Sequence, residues 1–328
     1  MRPSVLKGRA SWLLRGHKLF PQAYGLTRDG RASLLLLPNA SFSSSYRGNG
    51  DSTVKKHSSV GSFLAAGALS ISFAASSCTV AAAKELPLAD LIPEEVVLYQ
   101  YEACPFCNKV RAFLDYHHIP YRVVEVNPMS KKEIKWSEYK KVPILMVDGQ
   151  QMNDSTAIIS TLNKRLNPQG EALSAEALEE EETWRKWVDD HLVHVLSPNI
   201  YRSPSEALES FEYITTHGNF TTMERMIAKY GGAAAMYFIS KRLKKRHNIT
   251  DERAALYDAA EQWVKALKDR SFMGGSKPNL ADLAVYGVLR PLRNLTAGKE
   301  MVANTSIGPW YSRMEAAVGD SSRLPELK

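Results

Sequence analysis

The sequence predicts a small mixed α/β domain over residues 94–166 and an all-helical domain over residues 177–320. In the first segment, runs of β-branched and aromatic residues alternate with helical periodicity in the order β-α-β-α-β-β-α. In the second segment, apolar residues recur at helical spacing throughout. The length of 328 residues also suits about two domains of ordinary size.

The first 56 residues have a different composition from the rest of the chain. They are rich in Arg, Ser and Leu and contain two acidic residues, Asp29 and Asp51. This composition predicts a basic, disordered leader that directs the protein to the mitochondrion or another organelle, although a basic tail without a targeting function would look the same. Residues 1–83 carry a net charge of +8, so the remaining 245 residues carry about −1. We therefore expect no nucleic-acid-binding surface of clustered Lys and Arg on the body of the protein.

An uncharged segment, residues 57–83, follows the leader. Its length suffices to cross a bilayer, because a transmembrane helix needs about 20 apolar residues. Its composition is less apolar than is usual for such a helix, with seven serines and many alanines and glycines. The segment is either a membrane anchor or the end of the leader, and an anchor would make the protein membrane-associated.

Residues 94–166 supply the elements of the α/β domain in order. The pattern predicts a strand at Val96–Tyr101, a helix over 106–117, a strand over 119–126, a short polar helix over 129–139 and a hairpin of Ile144–Val147 and Gln151–Asn153. The Asp148-Gly149 pair between the hairpin strands is a turn signal. Asp154 and Ser155 precede the last helical pattern, so one of them is expected to cap that helix.

Two of the three cysteines, Cys104 and Cys107, flank Pro105 and Phe106 where the first strand meets the first helix. So few cysteines argue against a disulfide-stapled secreted fold and favour a reducing compartment. A structural zinc site usually combines two such pairs, and no second Cys-x-x-Cys pair is present. Covalent haem attachment requires a histidine directly after the second cysteine, where the chain has Asn108. A functional thiol site is favoured, and two buried cysteines without a function are the remaining alternative.

The position of Cys104 predicts its chemistry. A cysteine at a helix N-terminus faces unpaired N–H groups and the positive end of the helix dipole, which both favour the thiolate. The pKa of such a thiol can fall from about 8.5 to between about 3.5 and 7.5. Cys107 lies one turn further on, on the same face of the helix, which suits a protected, resolving thiol. Lys109 and Arg111 either add positive potential or are solvated side chains.

This order of elements, with Cys-Pro-Phe-Cys before the first helix and "KVPIL" opening the third strand, resembles the thioredoxin superfamily, specifically its glutaredoxin and glutathione-transferase branches. The resemblance implies a cis peptide bond before Pro143, facing the cysteines. It also implies a glutathione site in which the backbone of Val142 pairs with the peptide like an added strand. The start of the third helix would hold the γ-glutamyl end through the Asp154 carboxylate and the Ser155 hydroxyl. The alternative is that Asp154 and Ser155 are a helix cap alone.

The helical half begins with a predicted helix over residues 176–198, which Pro198 is expected to end. Acidic residues occupy its early turns, and tryptophan, valine and leucine form its apolar stripe. His191 and His194 lie three residues apart on this helix. With no neighbouring carboxylate motif, they are expected at the edge of the core and not on a metal.

Three further helices are predicted in this half. A long helix over residues 218–247 ends in basic residues, and an amphipathic helix follows over residues 251–267. Asn279 and Asp282 form a variant capping box before a final apolar helix. That last stretch resembles the buried helix of glutathione transferases. The implied fold class is a thioredoxin-like (glutaredoxin-type) α/β domain followed by an all-α glutathione-transferase-type domain.

Six segments between Val96 and Ala317 together resemble the family of membrane-associated prostaglandin E synthases of type 2. They are "YQYEACPFCNKVRAFLDYHHIPYRVVEVNP", "YKKVPIL", "NDSTAIIS", "VHVLSPNIYRSPSEALESFEYI", "GAAAMYFISKRLKKRH" and "FMGGSKPNLADLAVYGVLR". The connection between the two halves, about residues 166–178, is shorter than the animal pattern.

The resemblance implies that the protein is a thiol isomerase converting prostaglandin H2 to prostaglandin E2. Cys104 matches the catalytic cysteine of the family, with Cys107 as the second thiol, and Tyr101 matches a tyrosine whose hydroxyl can bond to the cysteine sulfur. Pro105 and Phe106 would form the pocket wall. The family also implies glutathione and haem in the same pocket, a lipid endoperoxide substrate and a homodimer. A glutaredoxin-like thiol-disulfide oxidoreductase and a non-catalytic glutathione- or haem-binding module are the alternatives.

Overall fold

The computed structural model describes residues 89–169 and 174–325, and within them a sheet of four strands in the order β2-β1-β3-β4. The strands are β1 (Val96–Gln100), β2 (Arg122–Glu125), β3 (Ile144–Val147) and β4 (Gln150–Asn153). β2 runs parallel to β1, whereas β3 is antiparallel to both β1 and β4. The four strands predicted from the sequence are present, and the central strand β1 leads directly to the cysteine pair.

The strand predicted over residues 119–126 is shorter in the structure, where β2 covers Arg122–Glu125. Tyr121 pairs instead with the C-terminal segment, because its N–H donates to Ser322 O and its carbonyl accepts from Leu324 N. The preceding Pro120 has no N–H to contribute to a ladder. A partner 200 residues away in sequence therefore sets this boundary.

The helices of the α/β half are α1 (Pro105–Tyr116) and α2 (Ser155–Leu166). α1 lies within one residue of its predicted range and has proline at its first position, where the missing N–H removes no helical hydrogen bond. Every residue from Cys107 to Asp115 is buried. Protein therefore encloses α1 on all sides, which fixes the position of its N-terminus.

The polar helix predicted over residues 129–139 is wrong. A single 3₁₀ turn, Lys132–Ile134, is present there, and Lys131 before it has a left-handed backbone with φ 48°. The Asn127 side chain accepts hydrogen bonds from the N–H groups of Met129 and Ser130. This side-chain turn competes with helix formation, as is common for asparagine.

The helical half, from residue 174, contains nine α-helices within the described residues. They are α3 (Ala175–Trp187), α4 (Val193–Ile200), α5 (Pro204–His217), α6 (Thr222–Ile227), α7 (Ala233–Arg246), α8 (Glu252–Ala266), α9 (Leu280–Leu289), α10 (Thr296–Asn304) and α11 (Gly308–Val318). Single π-turns, Val188–Leu192 and Ala228–Gly232, join α3 to α4 and α6 to α7. The predicted helix over 218–247 is thus confirmed from Thr222 onward.

The prediction that Pro198 ends the first of these helices is wrong, because Pro198 lies inside α4 and the helix continues to Ile200. Proline removes one helical hydrogen bond. The loss falls in the last turn, where the Asn199 side chain donates to Val195 O. Burial of Leu196 and Ile200 then outweighs it.

The predicted capping box of Asn279 and Asp282 is confirmed at the start of α9. The fully buried Asp282 carboxylate accepts hydrogen bonds from the N–H groups of Met273, Gly274 and Asn279 and from the indole of Trp310. It therefore fixes the loop before α9, the start of α9 and the side of α11 together.

α9 packs against α1 and joins the two halves in one hydrophobic core. The contact is close at Gly287, where an added Cβ would lie 2.5 Å from Lys109 Cα and 3.0 Å from Asn108 O. A glycine is needed here because no side chain fits between the two backbones. The thiol helix is therefore held by the helical half.

The leader of residues 1–56 and the possible anchor of residues 57–83 lie outside the described residues. Among the helices that are described, none combines the length and apolar character needed to cross a membrane.

Candidate active site

Cys104 lies at the N-terminus of α1, where it is the N-cap residue. It is 2% exposed, and Cys107 is fully buried one turn further along the helix. Both cysteines are free thiols. The Cys104 N–H donates to Tyr101 O at 3.0 Å, and the Cys104 carbonyl accepts from Asn108 N at 3.0 Å. The turn from β1 into α1 therefore holds the first sulfur at the position that the sequence predicts.

The two thiols differ in their electrostatics. Burial opposes a charge on Cys104, but the thiol of Cys107 and the N–H groups of Cys107 and Phe106 donate to its sulfur and outweigh burial, so its pKa lies below the usual value. Burial and the neighbouring Cys104 sulfur raise the pKa of Cys107 well above its usual value. Cys104 is therefore the thiol that ionises more readily, and the hydrogen bond from Cys107 stabilises its thiolate form.

A small apolar cluster surrounds the cysteines and contains several of the predicted site residues. Its buried members besides the cysteines are Val126, Ile134, Val142 and Ile144, and Tyr99, Tyr101, Phe106 and Tyr139 pack against it. Pro105 is also buried, as the first residue of α1. The predicted pocket residues and Val142 thus lie together with the thiols.

Tyr101 contacts this cluster, as the resemblance implies. Burial raises the pKa of its hydroxyl, and the charges of Cys104 and Cys107 raise it further. Within the described residues, the Tyr101 hydroxyl makes no hydrogen bond, so the bond to the Cys104 sulfur is not formed in this arrangement. The hydroxyl stays protonated beside the thiols and can donate to an oxygen that binds there.

The peptide bond between Val142 and Pro143 is cis, as the resemblance implies. Val142 is buried beside the cysteines, directly before β3. Among the residues that the structure describes, no hydrogen-bond partner is present for the Val142 backbone. A buried backbone without partners fits an extended peptide that adds as a strand.

The start of α2 brings the two predicted γ-glutamyl ligands to the same end of the sheet. Asp154 is the cap of this helix, and its Oδ1 accepts from the N–H groups of Thr156 and Ala157. Ser155 follows as the first helical residue and is buried. Capping uses one carboxylate oxygen of Asp154, so the capping and ligand-binding interpretations are compatible.

Tyr139 connects this helix end to the thiols. Burial raises the pKa of its hydroxyl, followed by the charges of Asp154, Cys107 and Cys104. Tyr139 also lines a cavity of about 560 Å³, whose other walls are Trp136, Ser137, Glu138, Gln151 and Asn153. This volume lies within the range of about 300–1,000 Å³ that is usual for small-molecule sites.

Sequence reasoning missed the ionic partners of α1. Lys109 is buried, and its Nζ donates to Asp189 Oδ1 at 2.6 Å and to Thr156 Oγ1 at 2.7 Å. Asp189 is presented by the π-turn after α3. Lys109 is therefore not a solvated side chain but connects the thiol helix, the start of α2 and the helical half.

Arg111 is likewise buried, and its Nη1 lies 2.7 Å from Glu102 Oε1. Gln100 Nε2 donates to Glu102 and to Glu125, so a polar network underlies the turn that carries Cys104. The largely apolar sequence of α9 indicated a buried helix, but nothing in the sequence indicates which helix it covers. The partners of these two cations thus had no sequence signal.

Clusters of three or more His, Cys, Asp or Glu that could hold a metal are absent from the residues described. His194 stacks on His247 with a ring separation of 4.3 Å, at the edge of the helical core.

This chain matches one protein family and is similar in sequence to named proteins from two vertebrates. Residues 98–170 match the family "Glutathione S-transferase, N-terminal domain". A mouse (Mus musculus) protein named prostaglandin E synthase 2 is 48% identical over 285 residues, which cover 73% of this chain and 74% of that protein. A zebrafish (Danio rerio) protein of the same name is 46% identical over 281 residues, covering 72% of this chain and 74% of that protein.

This chain belongs to the prostaglandin E synthase 2 family.

Solved structures with a similar course of the chain have lower sequence identity to this protein than the two vertebrate proteins. β-Etherase LigF from Sphingobium is 20% identical with a TM-score of 0.45, covering 68% of this chain and 96% of that chain. A glutathione S-transferase I bound with lactoylglutathione is 15% identical with a TM-score of 0.46, covering 68% of this chain and 96% of that chain. Both scores are below 0.5, so the family assignment depends on the two vertebrate synthases.

Proposed function

We propose that this protein is a thiol isomerase of the prostaglandin E synthase type, which converts prostaglandin H2 to prostaglandin E2 with the Cys104 sulfur. The observation that carries this proposal is the Cys104 sulfur itself. It lies at the start of α1, receives the hydrogen bond of the Cys107 thiol and has a lowered pKa. A thiolate at neutral pH is a strong nucleophile.

The reaction proceeds in two steps at the Cys104 sulfur. The thiolate attacks the endoperoxide oxygen bonded to C9, so an S–O bond forms, the O–O bond breaks, and the C11 oxygen leaves as an alkoxide that takes up a proton. Loss of the proton at C9 then forms the C9 carbonyl, breaks the S–O bond and returns the thiolate. The proton lost at C9 balances the one taken up at C11, so no oxidant or reductant is consumed.

The residues beside Cys104 have separate roles in these steps. The Tyr101 hydroxyl, which remains protonated beside the thiols, can donate to the oxygen that becomes negative. The Cys107 thiol holds the Cys104 thiolate between turnovers. Phe106 and the buried Pro105 exclude water on one side of the sulfur.

Glutathione is proposed to bind beside Cys104. The unpartnered backbone of buried Val142, next to the cis Pro143, fits the peptide as an added strand. The free oxygen of Asp154 fits an ammonium group and the Ser155 hydroxyl fits a carboxylate, both at the start of α2. When bound, glutathione supplies a second thiol beside that of Cys104.

Haem is proposed as a further ligand beside the cysteine cluster, against which Tyr139 packs. The cavity beside Tyr139, of about 560 Å³, supports this proposal by its size and its aromatic wall of Trp136 and Tyr139. Bound haem would supply iron chemistry that breaks down the endoperoxide.

A second candidate function is a glutaredoxin-like thiol-disulfide oxidoreductase. It is favoured by the hydrogen bond from Cys107 to the Cys104 sulfur, because a resolving thiol must reach the first sulfur. A binding module for glutathione or haem without turnover is the third. We further propose a mitochondrial or other organellar location set by the leader, membrane association through residues 57–83, and a homodimer.

Replacing each cysteine singly by serine in the full chain separates these functions. For the isomerase, Cys104→Ser should lower prostaglandin E2 formation by about 100-fold or more, whereas Cys107→Ser retains substantial activity. The third cysteine, Cys78, lies in the segment of residues 57–83, so Cys78→Ser is the matched control and should leave prostaglandin E2 formation unchanged. Loss of thiol-disulfide exchange in both Cys104→Ser and Cys107→Ser, without prostaglandin turnover in the wild type, would establish the oxidoreductase instead. Glutathione binding without any turnover would leave the binding module.

A further inference from the structure

Two carboxylates meet beneath the turn that carries Cys104. Gln100 Nε2 donates to Glu102 Oε2 at 2.8 Å and to Glu125 Oε2 at 3.2 Å. Because both carboxylates accept from one nitrogen, their oxygens lie within a few ångströms of each other. Glu125 also accepts at 2.7 Å from the N–H of Glu102, two residues before Cys104. Two negative charges at this separation repel each other, so one of the carboxylates tends to keep its proton.

The two carboxylates differ in their access to a cation. Arg111 Nη1 lies 2.7 Å from Glu102, and Arg323 Nη1 lies 3.9 Å from it. Burial opposes the charge of Glu102, but Arg111 outweighs burial and holds its pKa below the usual value. Among the described residues, the ion pairs that reach this network end on Glu102, and Glu125 takes part in none. The charge of Glu125 is therefore less well compensated than that of Glu102.

The groups that face Glu125 come from several elements. Arg111 and Cys107 belong to α1, and Tyr101, Glu102 and Cys104 to the turn before it. Asn219 bridges the Glu125 carbonyl and the Glu133 carboxylate, and Tyr213 of α5 lies near enough for the Glu125 charge to raise its pKa. Burial and the neighbouring charge of Glu102 raise the pKa of Glu125 to about 8. The hydrogen bond from the Glu102 N–H lowers this pKa, but by less than the other two effects raise it.

We propose that Glu125 is a positioning residue for the thiol site. Glu125 holds a proton at neutral pH and thereby keeps a negative charge away from the Cys104 thiolate. It also fixes the turn by accepting the hydrogen bond of the Glu102 amide. Ionised Glu125 opposes the thiolate, because its charge raises the pKa of Cys104, Cys107 and Tyr101 alike. The thiol site thus carries one negative charge at neutral pH and two in mildly alkaline solution. This inference rests on the proposed role of Cys104 as the reacting thiolate.

The charge beside Cys104 can be measured with two alkylating reagents of similar size. Iodoacetate is an anion and iodoacetamide is neutral, so the ratio of their rates at Cys104 reports the local charge and cancels the nucleophilicity of the sulfur. In the full-length wild type, mass spectrometry gives the alkylation rates at Cys104. We expect the ratio of the iodoacetate rate to the iodoacetamide rate to fall about fivefold as the pH rises, with a midpoint near pH 8. The size of the fall follows from the Coulomb energy of one added charge at close range.

Glu125→Gln should abolish this fall, because the amide keeps an oxygen for the Glu102 N–H and cannot ionise. Glu138→Gln is the matched control, since Glu138 is an exposed carboxylate on the nearby cavity wall, and it should keep the fall. A wild-type ratio that stays flat between pH 6 and 9 would overturn the inference, whether or not Glu125→Gln folds. A fall that persists in folded Glu125→Gln would do the same. If Cys104 reacts with iodoacetamide like an ordinary thiol, the proposed function fails and the inference with it, which is a distinct outcome.

Discussion

Replacing Gly287 with alanine should push α9 and α1 apart and disturb the Cys104 thiolate. The added Cβ would lie 2.5 Å from Lys109 Cα, 2.9 Å from Lys109 N and 3.0 Å from Asn108 O. All three atoms belong to the backbone, so no side-chain rotation relieves the contact. Ordinary packing requires a displacement of about 1 Å, and overpacking of this kind costs about 1–3 kcal/mol.

The control is Gly231→Ala, because Gly231 is exposed within a helical segment and an added Cβ there would have no atom within 4 Å. The same chemical change should stabilise the protein at that position by about 0.5–1 kcal/mol, since alanine loses less backbone entropy than glycine. Urea unfolding followed by circular dichroism gives both free energies, and iodoacetamide rates at pH 7 report the Cys104 thiolate. We expect slower alkylation in Gly287→Ala and an unchanged rate in Gly231→Ala. Equal stability of Gly287→Ala and the wild type would refute the close packing of α9 on α1.

Two further predictions concern buried charges. Asp282→Ala should lower the free energy of unfolding by about 4 kcal/mol, because four N–H donors lose their acceptor at about 1 kcal/mol each. The control, Asp258→Ala at an exposed position, should change the free energy of unfolding by less than about 0.5 kcal/mol. Similar urea midpoints for the two variants would contradict the role of Asp282. Asp189→Ala should destabilise more than Lys109→Met, by about 3 kcal/mol against about 1 kcal/mol, because the Lys109 side chain is 2% exposed and the Asp189 side chain 32% exposed. Asp189→Ala leaves a buried cation without its carboxylate, whereas Lys109→Met leaves a partly solvated anion. If thermal unfolding shows Lys109→Met to be the less stable variant, the result would argue against this ion pair.

The local sequence predicted the elements that carry their own chemical signals. The strand from Val96 and the helix after Cys104 follow from hydrophobic periodicity, and the hairpin follows from its Asp-Gly turn. The capping box of Asn279 and Asp282 is a local motif of four residues, so it too was recognisable. The cis bond at Pro143 came from the family resemblance, since no local pattern distinguishes it.

Hydrophobic periodicity gave the wrong structure at two places in the α/β domain. β2 begins only at Arg122 because the backbone of Tyr121 is bonded to the C-terminal segment. The polar segment at 129–139 is not a helix because the Asn127 side chain bonds to its first N–H groups. The Tyr121 pairing joins residues about 200 positions apart, so no local pattern could predict it. The Asn127 turn is local, but hydrophobic periodicity does not detect a hydrogen bond from a side chain to the backbone.

By itself, the sequence determined the kind of protein: a thiol pair at the start of a helix in a small sheet domain, followed by a helical half of the prostaglandin E synthase 2 family. Tertiary structure alone decided which charges accompany that thiol. Lys109 and Arg111 could equally have been solvated on an isolated α1, and burial in the folded protein is what makes each require a carboxylate. The physical reason is that desolvation and pairing depend on what packs against a residue, and the carboxylate partner of Lys109 lies 80 residues away in the sequence.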